Sequence, residues 1–236
     1  SLHRVVPPEV KDSAWVRTPL DRFILSQFEA VGKTSPRETD KRSWIRRIYL
    51  DVVGLPPSPE AIDAFLSDES PDAHDRVVDE LLASPRFGER WGRHWLDLVR
   101  YAESRGHEFD YDVANPWHYR DYVIQAINDD LPYNQFVVEH IAGDLLEGRQ
   151  SDSHHPCLAT GFWYLGEWVH SPVDIRKDET ERVDNMLDVF GKTFLGLTLG
   201  CARCHDHKFD PITSKDYYAL AGYVQSTSYA QRPYEI

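Results

Sequence analysis

The sequence predicts an all-α protein, a single multihelical domain with long loops and little or no sheet. Apolar residues recur at helical spacing through most of the 236 residues. Ser or Thr followed by Pro marks the start of several of these segments. No clearly alternating run of five or more residues favours a strand, and we find neither an internal repeat nor a domain boundary. We therefore expect one domain over residues 1–236.

The N-terminal half is predicted to contain five helices. Thr18 caps the first helix, Pro19 lies in its first turn and Gly32 ends it. Thr39 is predicted to cap the second helix, which the Gly54-Leu55-Pro56-Pro57 stretch interrupts. The next three helices follow the dipeptides Ser58-Pro59, Ser70-Pro71 and Ser84-Pro85, and the last of them is predicted to run through Trp91, Trp95 and Ala102.

The C-terminal half alternates loops and helices. Residues 106–116 are polar and aromatic and are predicted to form a loop, and helices are predicted over 117–129 and 133–145. Residues 146–157 are polar and indicate a disordered tip. Residues 158–165 fit a buried helix or a strand equally well, and a further helical run is predicted to open at Asp178.

Composition excludes several classes of protein. Lys and Arg number 26 against 39 Asp and Glu, a net charge of −13 that disfavours nucleic-acid binding. No run approaches the roughly 18 apolar residues of a membrane span. Three cysteines are too few for a disulfide scaffold, whereas seven Trp and twelve Tyr suit the walls of an apolar pocket. The first residues lack a signal-peptide pattern, so we expect a processed form or a domain excised from a longer protein.

One motif carries specific chemistry: Cys201-Ala202-Arg203-Cys204-His205 has the C-x-x-C-H spacing of covalent haem attachment. Two thiols three positions apart can reach the two vinyl groups on one haem edge. The following imidazole, His205, can then bind the iron from the proximal face. The sequence therefore predicts one haem c held by Cys201, Cys204 and His205, with the helices and long loops arranged around it.

Two other uses of this spacing remain open. A redox dithiol usually follows a strand in a thioredoxin-like unit, which this sequence does not indicate. A zinc site needs four ligands, normally as two separated pairs. Here Cys201, Cys204, His205 and His207 fall within seven positions, and Cys157 stands alone. Haem attachment is favoured over both.

Several stretches resemble the planctomycete-type cytochrome domain, a family of unknown function. The resemblance is carried by CARCHDHKFD and DYY within residues 195–220, and by upstream stretches over 87–111, 117–146 and 178–200. It covers about two thirds of the chain in order. The resemblance implies a mono-haem c-type domain of large exported proteins, usually accompanied by further domains. It implies no particular reaction.

The distal iron ligand is the open question at the site. His94, within a Trp-Gly-Arg-His-Trp stretch, is the first candidate, and the iron is alternatively five-coordinate. Met186, the single methionine, lies 19 residues before His205, so the chain would have to fold back for it to bind. We expect Met186 to fill the core instead. The other candidates are His107, His118 and His170.

Weaker expectations concern the surrounding polar residues. His207 is expected to hydrogen-bond a haem propionate or a backbone group, and Asp206 or a nearby carbonyl to orient the ring of His205. Arg93, Arg100 and Arg105 could pair with propionates, although solvated surface is expected for most of them. The acidic residues Asp178, Glu179, Glu181 and Asp184 resemble a helix start more than a calcium site.

The leading functional hypothesis is single-electron transfer by a c-type cytochrome domain. Its acidic exterior favours a redox partner, or a neighbouring domain, with a basic face. Because bacteria attach haem outside the cytoplasm, the motif predicts a periplasmic or cell-surface location. Alternatively, the chain is a haem oxidoreductase module that oxidises an organic substrate, plausibly a carbohydrate, held by Tyr101, Glu103, His107 and Asp110. A third hypothesis is a zinc-stabilised interaction domain without haem.

Overall fold

In a computed structural model, residues 5–107, 109–146 and 155–230 are described, and this part of the chain is all-α, as predicted. It contains nine α-helices, named α1 to α9: Pro19–Ala30, Lys41–Val52, Pro59–Ser67, Ala73–Leu82, Pro85–Leu98, Trp117–Asn128, Tyr133–Ala142, Ile175–Phe190 and Ser214–Gln225. Three 3-10 segments lie at Gly143–Leu145, Pro156–Tyr164 and Leu199–Arg203, and one π-helical segment at Gly191–Leu195. Extended pairing within the described ranges is limited to one antiparallel bridge, between Ser104 and Asp112.

Side-chain caps explain where most helices begin. The starts of α2 and α8 and the end of α5 correct three expectations. The carboxylate of Asp40, rather than the hydroxyl of Thr39, caps α2 by accepting the Ser43 N–H at 2.9 Å. Helix α8 begins at Ile175 behind the cap Asp174, three residues before the predicted start. Helix α5 ends at Leu98, short of Ala102.

Helix α9 was not predicted at all. A capping box starts it, in which Thr213 and Asp216 satisfy each other's backbone N–H groups. The Thr-Ser-Lys-Asp sequence at this position was the available signal. The helix then turns Tyr217, Ala221 and Val224 inward, where they are buried.

Buried apolar residues form three clusters. The first joins α5, α6, α7 and the 156–164 segment around Val99, Tyr119, Val123 and Phe162. The second lies between α8, α9 and the 199–203 segment. The third joins α2, α3 and α4 through Ile45, Phe65 and Ala73. Trp163 packs against both the first and the second cluster, so it connects the two.

Residues 158–165, which fitted a helix or a strand equally well, lie almost entirely in the 3-10 segment Pro156–Tyr164. This segment is neither a regular α-helix nor a strand. Pro156 and Phe162 are buried, and the segment runs directly over Gly143. A Cβ at Gly143 would lie 2.0 Å from the Pro156 carbonyl oxygen, so only glycine allows this approach. Most of the predicted disordered tip, residues 147–154, lies outside the described residues.

A polar network is buried in the first cluster. His140 and Glu139 are fully buried on α7. The Nδ1–H of His140 donates to the Phe136 carbonyl at 2.8 Å, and its Nε2 accepts from the Tyr119 hydroxyl at 2.9 Å. Tyr122 donates to Glu139 at 2.8 Å. Because these groups are mutually satisfied, the network fixes α6 against α7 without leaving an unpaired polar atom among them.

Candidate functional site

Residues 199–205, which we call the cysteine turn, present their two cysteines on one side. Leu199 and Ala202 are buried in the second cluster, with 2% and 0% of their surface exposed. Cys201 and Cys204 are both exposed. In a 3-10 conformation side chains three positions apart are eclipsed, so one i, i+3 pair faces the core while the other faces outward. Leu199 and Ala202 therefore hold the turn against the core, and both thiols face the solvent.

Both cysteines of the turn are free thiols with no disulfide between them. The third cysteine, Cys157, is half-buried in the 156–164 segment. The two cysteines predicted to attach a haem are therefore accessible and not bridged to each other.

His205 is exposed directly beside the two cysteines. Its Nδ1 lies 2.8 Å from the carbonyl oxygen of Asp206. Because a carbonyl only accepts, Nδ1 carries the proton and donates, which leaves the Nε2 lone pair available. No described residue makes a hydrogen bond to Nε2. The expectation that a nearby carbonyl orients this ring is confirmed, and the free Nε2 is the atom that can bind a metal.

His207 holds the loop closed behind the cysteine turn. Its Nδ1 accepts the backbone N–H groups of Asp210 at 2.8 Å and Phe209 at 3.3 Å. Its Nε2 then carries the proton and lies 3.0 Å from the Thr198 hydroxyl oxygen. The expected backbone role of His207 is confirmed. With both ring nitrogens engaged, His207 has no lone pair left for a metal.

A zinc site does not fit this geometry. In the described ranges no three His, Cys, Asp or Glu side chains are arranged to hold a metal ion. A structural zinc site needs four ligands, and His207 is already committed to hydrogen bonds.

The residues present do fit a covalently held haem. The donor set consists of two outward thiols one turn apart and an oriented imidazole. Large apolar side chains next to the turn are left in water: Phe209 is 82% exposed, Tyr218 59% and Leu195 51%. A porphyrin is a wide apolar plate, so its attachment at this position would cover surface that is otherwise costly to expose.

The candidate distal ligands lie in different places. His94 is exposed on α5, with its ring 5.4 Å from that of Trp91. Helix α5 packs mainly against α6, whereas the cysteine turn packs against α8 and α9. His94 as the distal ligand therefore stays a prediction. Met186 packs against the second cluster, and its expected role as core filler is confirmed.

The other three candidate histidines contact residues outside the cysteine turn. His107 has a left-handed backbone conformation and lies 4.0 Å from Glu167. His118 stacks beside Trp117 at the start of α6. The ring of His170 lies 4.9 Å from that of Phe109.

Arg100 and Arg105 correct the expectation of solvated arginines. Arg105 is 7% exposed, donates to the Tyr164 carbonyl at 2.6 Å and lies 4.1 Å above the Trp168 ring. Arg100 donates to the Asn185 side chain at 2.7 Å, and burial lowers the pKa of its guanidinium to about 10. Both guanidinium groups therefore hydrogen-bond to distant parts of the chain. Arg93 alone of the three is exposed to solvent, as expected.

Three of the four residues proposed to hold an organic substrate, all except His107, make hydrogen bonds or ion pairs within the protein. Tyr101 donates to Glu103 at 2.9 Å, and Glu103 pairs with Arg120 at 2.9 Å. Asp110 accepts from the Gly106 N–H, and hydrogen bonds from Ser104 and Gly106 hold the pKa of its carboxyl below the usual range. Two surface hollows of the described structure have other linings, which include Trp15 and Glu38 in one and Tyr49 and Arg86 in the other.

Asp184 is a contact of the turn that the sequence analysis missed, because it was grouped with the acidic start of a helix. Its Oδ2 pairs with Arg203 at 3.2 Å, and its Oδ1 accepts from the Tyr217 hydroxyl at 2.5 Å. No local pattern connects residues 184, 203 and 217, so only the folded chain reveals the contact.

The chain matches a family model over most of its length. Residues 19–229 match the model described as PSCyt2, protein of unknown function (DUF1549). The comparisons with curated proteins and with solved structures give no match.

Proposed function

The chain belongs to the planctomycete-type cytochrome domain family, and from this premise we propose that it is a c-type cytochrome domain with one covalently attached haem. Its activity would be single-electron transfer. The family is described as one of unknown function, so the proposal depends on the site rather than on the family.

Several residues of the turn, and two of the loop that follows it, have defined roles in this proposal. Cys201 and Cys204 would hold the porphyrin, and Nε2 of His205 would bind the iron. The group, when bound, supplies a one-electron iron couple. The Asp206 carbonyl keeps the proton of His205 on Nδ1, and the His207 hydrogen bonds keep the loop closed. Leu199 and Ala202 anchor the turn, so the two thiols and the imidazole stay in place relative to one another.

One observation carries the proposal: the two cysteines and the histidine of the motif are exposed, whereas Leu199 and Ala202 bury the other side of the same turn. The two thiols are accessible and unbridged, and Nε2 of His205 is left free by the Asp206 carbonyl. A redox dithiol would not require the oriented imidazole, and zinc would require a fourth ligand besides Cys201, Cys204 and His205. No observation favours the substrate-oxidising alternative, since Tyr101, Glu103 and Asp110 are engaged with the protein.

The partner and the location follow from the same proposal. The net charge of −13 would favour encounter with a redox partner, or a neighbouring domain, that presents a basic face. Attachment of the haem would take place in the periplasm or at the cell surface. No helix in the described ranges has the length and apolar character needed to cross a membrane.

Production with a haem-attachment system in an exporting bacterium tests the proposal. After denaturing electrophoresis, the wild-type band should keep a haem stain. Cys204→Ala should lose stable two-bond attachment, because one of its two thiols is gone. Cys157→Ala is the matched control and should stain like the wild type, because Cys157 lies in a different segment. A haem stain that persists when Cys201 and Cys204 are both replaced by Ala would overturn the assignment.

A further inference from the structure

We infer that three exposed rings outside the cysteine turn, those of Phe109, Tyr111 and His170, dock a basic segment of the redox partner. We call these three residues the aromatic platform. The docking role rests on the proposed function only for the expectation of a basic partner. It places the contact with that partner at a surface that the C-x-x-C-H motif does not include.

The rings of the platform lie together and are open to solvent. The ring of His170 lies 4.9 Å from that of Phe109 and 5.8 Å from that of Tyr111. Phe109 is 65% exposed and Tyr111 is 40% exposed, and His170 is also exposed. Because a group of large rings is costly to leave in water, the platform has the character of a binding surface.

Hydrogen bonds hold the loop that carries Phe109 and Tyr111. The backbone N–H of Arg105 donates to the Tyr111 carbonyl at 3.0 Å, and the Gly106 N–H donates to the Asp110 carboxylate at 2.8 Å. The Trp168 N–H donates to the Arg105 carbonyl at 3.2 Å, which fastens the loop of His170 to the first loop. Since the backbone beneath the rings is already ordered, a partner loses less conformational entropy in binding to them.

Carboxylates adjoin the platform in both loops. Asp110 and Asp112 stand on either side of Tyr111 in the sequence, and both are exposed. Glu167 belongs to the second loop, and its side chain is 66% exposed. Hydrogen bonds from Ser104 and from the Gly106 backbone hold the pKa of the Asp110 carboxyl below its usual range, so it is charged at neutral pH.

The arginines of this region are engaged within the protein. Arg105 is 7% exposed and donates to the Tyr164 carbonyl at 2.6 Å. Arg120 pairs with Glu103 at 2.9 Å and with Asp121 at 3.1 Å. The exposed carboxylates beside the rings therefore determine the sign of the charge that a partner meets.

The distribution of charge along the chain favours a basic partner at the platform over one at the cysteine turn. Residues 101–190 contain 18 Asp and Glu but only six Lys and Arg, whereas residues 191–236 contain four and five. Nearly all of the net charge of −13 therefore lies in the segment that includes the platform. A Lys or Arg side chain can stack on an aromatic face and pair with a carboxylate beside it. A neutral sugar could stack on the same rings but would gain nothing from the charge.

The test measures binding of an octapeptide of alternating Lys and Arg by isothermal titration calorimetry at low salt, on protein produced with the haem-attachment system. The double variant Phe109→Ala, Glu167→Gln removes one ring and one carboxylate of this surface. The matched control, Tyr133→Ala with Glu69→Gln, removes a 61% exposed ring and an exposed carboxylate elsewhere. We expect the Kd to rise about tenfold in the first variant, about threefold for each lost contact, and to stay unchanged in the control. Equal effects, or a wild type that does not bind the peptide, would overturn the inference.

A further variant and a second probe separate the role of the ring from other uses of the surface. Phe109→Leu keeps an apolar side chain but removes the ring, so by itself it should raise the Kd about threefold. An unchanged Kd there would contradict stacking of a cation on Phe109. Cellohexaose, a neutral hexasaccharide, is titrated in parallel, and we expect no binding. Binding of cellohexaose that is lost in Phe109→Ala, Glu167→Gln would assign the platform to a carbohydrate and overturn the basic partner.

The docking surface and the haem can fail separately. A wild-type protein that carries haem but binds the octapeptide no better than Phe109→Ala, Glu167→Gln overturns the docking role and leaves the proposed function standing. A wild-type protein that carries no haem but binds the octapeptide at the platform overturns the proposed function alone.

Discussion

Acidification should destabilise the protein through His140, well above the pH at which most carboxylates titrate. The imidazole is fully buried among aromatic rings, and burial lowers its pKa to about 4 from the ordinary value of 6.5. It is held neutral, donating from Nδ1 to Phe136 and accepting at Nε2 from Tyr119. A second proton would have no acceptor at Nε2.

The sign and size of the effect follow from the two pKa values. As pH falls below 6.5 the unfolded chain takes up the proton first, so the unfolded state is favoured progressively. The stability contributed by neutral His140 is present above pH 6.5 and is lost as pH falls to about 4. At about 1.4 kcal/mol per pH unit, the loss across this window is about 3 kcal/mol.

Urea unfolding followed by circular dichroism between pH 7 and pH 4 measures this slope. The His140→Gln variant should be less stable than the wild type at neutral pH. Its free energy of unfolding should fall less steeply between pH 6.5 and pH 4, because the titrating imidazole is gone. Leu187→Val is the matched control, since it loses about 1 kcal/mol from the second cluster and keeps the titrating histidine. Equal slopes in the wild type and in His140→Gln would refute the reasoning.

Two further predictions concern stability. Gly143→Ala should cost about 2–3 kcal/mol in thermal unfolding, because its Cβ would meet the Pro156 carbonyl at 2.0 Å, whereas Gly222→Ala, which meets nothing within 4 Å, should be neutral or stabilising. Similar melting temperatures for the two would contradict the close approach. Asp40→Ala should cost about 1 kcal/mol through loss of the α2 cap, and Thr39→Ala almost nothing, in the same assay. The opposite order would show that Thr39 is the cap.

Local signals explain which helices could be predicted. Ser58 and Ser84 each accept a backbone N–H at a helix start, as their positions before proline predicted. The 156–164 segment could not be assigned because its conformation depends on contact with Gly143, a distant part of the chain. The burial of Arg105 could not be predicted either, because the carbonyl to which it donates is 59 residues away in the sequence.

The residues of the candidate site also form two groups, those that local sequence could predict and those that it could not. Cys201, Cys204 and His205 follow from spacing alone, because covalent attachment requires residues that are close in sequence. The Asp206 carbonyl and the backbone partners of His207 were also predictable, since they lie within three residues of these rings. Asp184 was not, because its contact with Arg203 depends on how α8 lies beside the turn.

Haem attachment is tested most directly by the intact mass and the visible spectrum of the purified wild-type protein. We expect the denatured chain to retain the mass of one haem, and the native protein to show a reduced-minus-oxidised c-type spectrum. A chain of unmodified mass, purified from cells that mature other c-type cytochromes and without a Soret band, would contradict it.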